Sequence, residues 1–260
     1  MTLAWIAALA YFLAAGLLAR GVSRSEHGRA WWLPAALAIA LHGSVHVIGW
    51  RDGGTLDMHF FSALSLVGLG MAVLTAAYGA NGRMAALGVI VFPIAGAVLL
   101  ANAARGHVAA DPLGWRLQLH AWCALLAYAT LGIAAVLAIL LWAQERALRR
   151  REFHGWLRAL PPLTELEFLL FRTITVGFVL LTATLLTGVL FVENLFAQHL
   201  VHKTVLSVLS WLAFGALLLG RWRRGWRGAV AARWTLGAMA LLMLAFFGSQ
   251  FVLEMVLKRG

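Results

Sequence analysis

The strongest constraint on this chain is a set of eight apolar runs, each long enough to cross a lipid bilayer. They fall at about residues 3–19, 31–50, 58–79, 85–102, 117–143, 168–192, 202–220 and 234–257. About 20 consecutive apolar residues span the hydrocarbon layer as a helix. No water reaches the peptide groups there, so each run must close its own backbone hydrogen bonds. The runs do not alternate between apolar and polar residues, which argues against a β-barrel. The sequence therefore predicts an all-α polytopic membrane protein, a bundle of eight transmembrane helices forming a single domain over residues 1–260. Composition agrees: 12% of residues are charged, against about a quarter in a soluble domain.

A formal net charge of +11 raises nucleic acid as a partner. The basic residues, however, sit in short clusters between the apolar runs, where they set topology. The loops after the first, third, fifth and seventh runs hold Arg20, Arg24, Arg29, Arg83, Arg146, Arg149, Arg150, Arg151, Arg158, Arg221, Arg223, Arg224, Arg227 and Arg233. The opposite loops hold only Arg51, Arg105, Arg116 and Lys203. Fourteen against four, with Lys258 and Arg259 at the C-terminus besides, places the odd loops in the cytoplasm and both termini on the outer, periplasmic side of a bacterial inner membrane. The opening stretch MTLAWIAALAYFLAAGLLAR has no basic lead, so it reads as a first span rather than a removed signal. In the longest connection Pro161 and Pro162 break any helix continuing from the fifth span. The segment from Leu163 reads as an amphipathic lead-in at the inner interface.

With one cysteine, Cys123, the chain has no intrachain disulfide, CxxC pair or cysteine-based zinc site. The chemistry lies with nine histidines. His27 and His154 fall in cytoplasmic loops. The other seven, His42, His46, His59, His107, His120, His199 and His202, fall in the outer half. His42 and His46 stand four apart in LHGSVHVIGW and so share a helix face. An ionisable residue inside a span is a functional candidate by default, with helix-to-helix hydrogen bonding as the plain alternative. His120 and His202 enter their spans from the outer side, while His59, His107 and His199 read as loop or cap residues.

A zinc or copper site would recruit carboxylates or thiolates as well, and these are scarce on the outer side. Haem asks for less: one or two imidazoles, a flat apolar slot and cations for its propionates. Trp50, Phe60, Phe61, Trp115 and Trp122 are candidates for the slot, although an interfacial aromatic belt explains any one of them. Arg51, Arg116 and Lys203 are candidates for the propionates.

The stretches LPPLTELEFLLFRTITVGF, TGVLFVENLF with HKTVLSVLSWLAFGALLLGRWRRGWRG, and WTLGAMALLMLAFFGSQFVLE together resemble the YpjD/HemX-like branch of the cytochrome c assembly superfamily, which includes the CcsA and CcmC haem-handling proteins. The resemblance implies a helical bundle with an outward-facing haem b site and histidine axial ligands. His120 matches the histidine that opens the helix after the external loop. His202 to Thr204 take the place of a Pro-Lys-Glu-Thr stretch, and His42 or His46 that of an intramembrane histidine. Two departures bear on activity. VENLFAQHLVHKT has no tryptophan where CcsA and CcmC carry a tryptophan-rich loop, and Gln250 stands where CcsA has a second external histidine.

The expectation is thus a non-enzymatic protein that binds and delivers haem through His120, His42, His46 and His202. A cytochrome c synthase or a haem-biosynthetic enzyme is the expected partner. The alternative is a proton-coupled secondary transporter using the intramembrane histidines as a relay, and a structural subunit is the third reading. The topology is directly testable: a reporter active only outside the cytoplasm should be active when fused after Ala110 and silent when fused after Arg151.

Overall fold

The structure, a computed structural model, describes residues 1–24, 28–53, 57–79, 85–105, 114–151, 160–191 and 198–252. His27, His107 and His154 lie outside these residues, as does the side chain of His199. The helices are α1 (Thr2–Arg24), α2 (Trp32–Gly53), α3 (Phe60–Gly79), α4 (Ala85–Arg105), α5 (Trp115–Arg150), α6 (Leu163–Phe191), α7 (Gln198–Arg224) and α8 (Gly228–Met243). The last runs on through a π-helical turn, Leu244–Gly248, to Ser249–Phe251. All eight are long and apolar enough to span a membrane, and no strand occurs among the described residues.

Three boundaries differ from the sequence reading. The lead-in at Leu163 is the start of α6 itself, which continues unbroken to Phe191. The two prolines precede this helix, where a proline costs nothing in hydrogen bonds. Helix α8 begins at Gly228, six residues before the apolar run, because Arg227 and Gly228 are held by a buried carboxylate described below. Helix α5 continues to Arg150. Its 36 residues extend about 54 Å, well beyond the ~30 Å hydrocarbon layer, and its surplus end carries Arg146, Arg149 and Arg150.

The chain divides into two compact units, residues 1–112 with 146–162, and residues 113–145 with 163–260. In the first, α1 packs on α2 and α4, and α3 packs on α4 and α2. Lipid tails are as apolar as leucine, so close van der Waals fit rather than hydrophobicity drives such packing, and small residues allow it. Here Ala10, Ala14, Ala15, Ala35, Ala38, Ala72 and Ala95 surround Tyr11, Trp31 and Phe92. The Tyr11 ring stacks on Phe92 with centroids 5.9 Å apart.

In the second unit, α6 packs on α7, and α7 on α8 and the π turn. Helix α5 is the most enclosed of the spans, with 78% of its apolar window buried against 17–50% for the rest. The α7–α8 turn is fixed by Glu167 of α6, only 2% exposed. One carboxylate oxygen accepts the Gly228 N–H at 2.8 Å and the other accepts the Arg227 guanidinium at 3.1 Å. Gly228 has φ +51°, a conformation open to glycine at little cost.

Two glycine substitutions separate fit from flexibility. A Cβ at Gly177 would lie 2.4 Å from Cδ2 of Leu131, a fully buried side chain. Gly177→Ala should therefore cost about 1–3 kcal/mol by overpacking. A Cβ at Gly16 would meet nothing within 4 Å. Gly16→Ala should stabilise by roughly 0.5–1 kcal/mol through helix propensity. Thermal unfolding in detergent reads both.

Candidate functional site

The first unit holds the histidine pair of α2. His42 is fully buried. Its Nδ1 lies 3.2 Å from the Tyr11 hydroxyl of α1, and its Nε2 lies 2.9 Å from the Ser65 hydroxyl of α3. His46, one turn on and half-buried, places Nε2 3.0 Å from the same Ser65 oxygen. The two imidazoles stack with centroids 5.4 Å apart, as the i, i+4 spacing requires. Four polar groups from three helices thus meet inside an otherwise apolar packing of small residues.

At the start of α3 a different arrangement holds His59. Its Nδ1 is 2.6 Å from Oδ1 of Asp57, which also accepts the His59 backbone N–H at 2.9 Å. Both contacts span two residues and form a local turn before the helix. Nearby Phe60 and Phe61 meet edge to face at 5.0 Å, and the Arg105 guanidinium lies over the Phe61 ring.

In the second unit His120 sits half-buried in the second turn of α5, with Nδ1 3.2 Å from Oγ1 of Thr187 on α6. The direction of this bond follows from the hydroxyl. Thr187 already donates its hydrogen to the α6 carbonyls of Ala183 at 2.8 Å and Thr184 at 3.0 Å. A hydroxyl has one hydrogen, so toward His120 it accepts. Nδ1 therefore carries the imidazole proton and Nε2 keeps its lone pair. Gly188 makes room for the ring: a Cβ there would stand 3.3 Å from Cε1 of His120.

His202 is exposed on α7. Its neighbour Lys203 donates to the side-chain oxygen of Gln250 at 3.0 Å and lies 5.4 Å from the centre of the Phe246 ring. The HKT stretch of α7 and Gln250 of the last helix are thereby joined. Phe246 belongs to the π turn, and π turns inside α-helices recur at functional sites. Just before the turn, the Leu242 carbonyl accepts the Tyr128 hydroxyl of α5 at 2.5 Å.

The remaining candidates are less convergent. Trp50, Trp115 and Trp122 are exposed, as a belt at the membrane surface requires. Arg51 is exposed, and the Arg116 guanidinium lies over Trp115 at 5.6 Å and Phe191 at 5.9 Å. Among the described residues no three His, Cys, Asp or Glu side chains converge to hold a metal ion, so a protein-only zinc or copper cage is not formed by them. Sequence reasoning missed Tyr11, Ser65 and Thr187, the hydroxyls that hold the imidazoles. A hydroxyl in an apolar run marks a polar group that needs a partner, but not which partner it meets.

The family model for cytochrome C assembly protein matches residues 31–257. The chain belongs to the cytochrome c assembly protein family. Inner membrane protein YpjD of Escherichia coli strain K12 is 28% identical over 267 residues, covering 97% of this chain and 98% of its own. An uncharacterized 28.8 kDa protein of Azospirillum brasilense is 39% identical over 143 residues, 54% of this chain and 53% of its own. Cytochrome c biogenesis protein CcsA of Prochlorococcus marinus strain MIT 9515 is 32% identical over 90 residues, 34% of this chain and 29% of its own. No solved structure matches significantly. This family member is a multi-pass protein of the bacterial inner membrane.

Replacing Thr187 by its near-isostere valine should loosen the His120 tautomer, with the Thr184 carbonyl as the acceptor that remains. The expected outcome is a mixed Nδ1–H and Nε2–H population in the ¹⁵N spectrum of His120, at a stability cost of about 0.5–1.5 kcal/mol.

Proposed function

We propose that this membrane protein of the cytochrome c assembly family binds haem b and handles or delivers it at the outer face, with histidines as axial ligands. The geometry of His120 carries the reading. A metal-ligating histidine ordinarily donates its other ring N–H to a neighbour, which fixes tautomer and orientation. His120 does this through Nδ1 to Thr187, and its Nε2 is left in the form that coordinates a metal.

His46 and His42 are the next candidates. His46 Nε2 would exchange one hydrogen bond from Ser65 for the metal, whereas His42 has both nitrogens engaged by Tyr11 and Ser65. His202, exposed on α7, is the fourth. Arg116 and Lys203, the latter positioned by Gln250, are the cations assigned to the propionates. Haem, when bound, supplies an iron that accepts imidazole lone pairs. The chain's own work is to orient those imidazoles, exclude water and balance the propionate charge. No covalent step is assigned to it, because the segment VENLFAQHLVHKT lacks tryptophan. A cytochrome c synthase or a haem-biosynthetic enzyme is the proposed partner.

A second reading, proton-coupled transport, draws on the hydrogen-bonded series Tyr11, His42, Ser65 and His46. A proton path needs an exit at both ends, yet Tyr11 is fully buried beside Phe92. Among the described residues its hydroxyl bonds only to His42.

Absorbance of detergent-purified protein supplied with haem separates the readings. A Soret band should appear, and His120→Ala should weaken haem binding by more than about tenfold, since loss of a residue that merely hydrogen-bonds a ligating histidine costs on the order of 10–100-fold. His27→Ala should leave the band unchanged. A missing band in the parent protein, or a band indifferent to His120→Ala, would sink the haem reading. Proton flux in haem-free liposomes would support transport instead.

A further inference from the structure

The bonds of the Tyr11–His42–Ser65–His46 series can be made in two opposite directions. In one, the Tyr11 hydroxyl donates to His42 Nδ1, His42 Nε2–H donates to Ser65, and Ser65 donates to His46 Nε2. In the other, His46 donates through Nε2–H, Ser65 donates to His42 Nε2, and His42 donates through Nδ1–H to the Tyr11 oxygen. A neutral imidazole has one N–H and one lone pair, so the two directions cannot be mixed at His42. A third pattern, with both imidazoles donating Nε2–H to the two lone pairs of Ser65, serves the three bonds only by leaving the Ser65 hydrogen without an acceptor.

The buried end decides between them. Tyr11 is fully enclosed and stacked on Phe92, and among the described residues its hydroxyl bonds only to His42. The second direction would leave the hydroxyl hydrogen buried with no acceptor, which is the costly outcome. The first uses that hydrogen. Nor does Ser65 have a competing use for its own hydrogen: unlike Thr184 or Thr187, its hydroxyl does not bond back to the helix carbonyl one turn earlier among the described contacts.

We propose that Tyr11 and Ser65 are positioning residues for His46: from the core of the first unit they fix its proton on Nδ1 and keep Nε2 as a lone pair. The proposal rests on the reading of His46 as a ligand and adds residues that reading did not contain. Tyr11 lies ahead of residues 31–257, the span that the family model matches. An imidazole nitrogen coordinates a metal only when deprotonated. Held this way, His46 Nε2 gives up one hydrogen bond to coordinate, and no proton has to leave it. Ser65 guards the lone pair in the meantime.

The test uses full-length, haem-free protein in detergent, labelled with ¹⁵N-histidine. The two signals are assigned by their loss in His42→Gln and His46→Gln. The expected result is His46 as the Nδ1–H tautomer and His42 as Nε2–H. Tyr11→Phe and Ser65→Ala should each convert His46 to a tautomer mixture. Phe92→Leu, which loosens the packing on Tyr11 without removing a donor, should leave both signals in place. If Tyr11→Phe does not fold, Ser65→Ala carries the comparison. A proton on His46 Nε2 in the parent protein, or an unchanged His46 signal in the folded variants, overturns the proposal whether or not haem binds. With haem added, Tyr11→Phe should weaken binding on the order of tenfold. A changed tautomer with unchanged haem affinity overturns the role in coordination. Absence of haem binding in the parent protein removes the functional reading alone, and the tautomers still decide whether Tyr11 and Ser65 set His46.

Discussion

A polar group inside a bilayer has no water to fall back on, and most of the internal architecture here follows from that. Thr75 aside, whose buried hydroxyl has no partner among the described residues, threonine hydroxyls of the spans bond to their own helix or to a neighbour. Thr130, Thr175, Thr182, Thr184 and Thr235 bond back to the carbonyl one turn earlier. That leaves their oxygens able to accept from elsewhere, and Thr182 accepts the Trp211 indole N–H at 2.8 Å. Thr187 does the same for His120. The helix backbone thereby acts on the imidazole: by absorbing the hydroxyl hydrogen, it decides which ring nitrogen is protonated.

The two units solve the problem of polar groups in different ways. In the first, α1, α2 and α3 each contribute side chains to one shared set, packed among alanines. In the second, side-chain pairs such as Trp211 with Thr182 stand beside side chains that reach for the backbone of another helix. Tyr128 takes the Leu242 carbonyl, Ser210 takes the Ala238 carbonyl at 2.8 Å, and Glu167 takes the Gly228 N–H. Buried ion pairs are a weak source of net stability, but removing one partner leaves the other charge stranded. Glu167 therefore matters chiefly because it ties the Gly228 N–H and the Arg227 guanidinium to α6 at a helix junction.

The number and type of spans were legible from apolar run length alone, since the bilayer permits little else. So was the shared face of His42 and His46, which needs only the helical period. Less legible was where helices start. Gly228 looked like loop because the hydropathy of GRWRRGWRG is low, and the carboxylate that anchors it lies 61 residues away. The partners of the histidines were hidden for the same reason. Tyr11 and Ser65 are 31 and 23 residues from His42, and no local pattern in the sequence marks a hydroxyl that will meet an imidazole across a helix interface. The π turn leaves no periodic trace either, being a single extra residue in a continuous apolar run.

That extra residue has a consequence for how the final helix is aimed. In an α-helix each residue advances the azimuth by about 100°, so one insertion swings everything after it by more than a quarter of a circle. Gln250 follows the turn at Leu244–Gly248, and Tyr128 grips the helix just before it at Leu242. The grip and the amide are thus set at an angle that a regular helix of the same composition would not give. Excising one residue from LAFFG would keep the hydropathy of the span and its length within a bilayer. It would nonetheless rotate Gln250 off Lys203, so the lysine's placement depends on a local miscount in the helix as much as on side-chain chemistry.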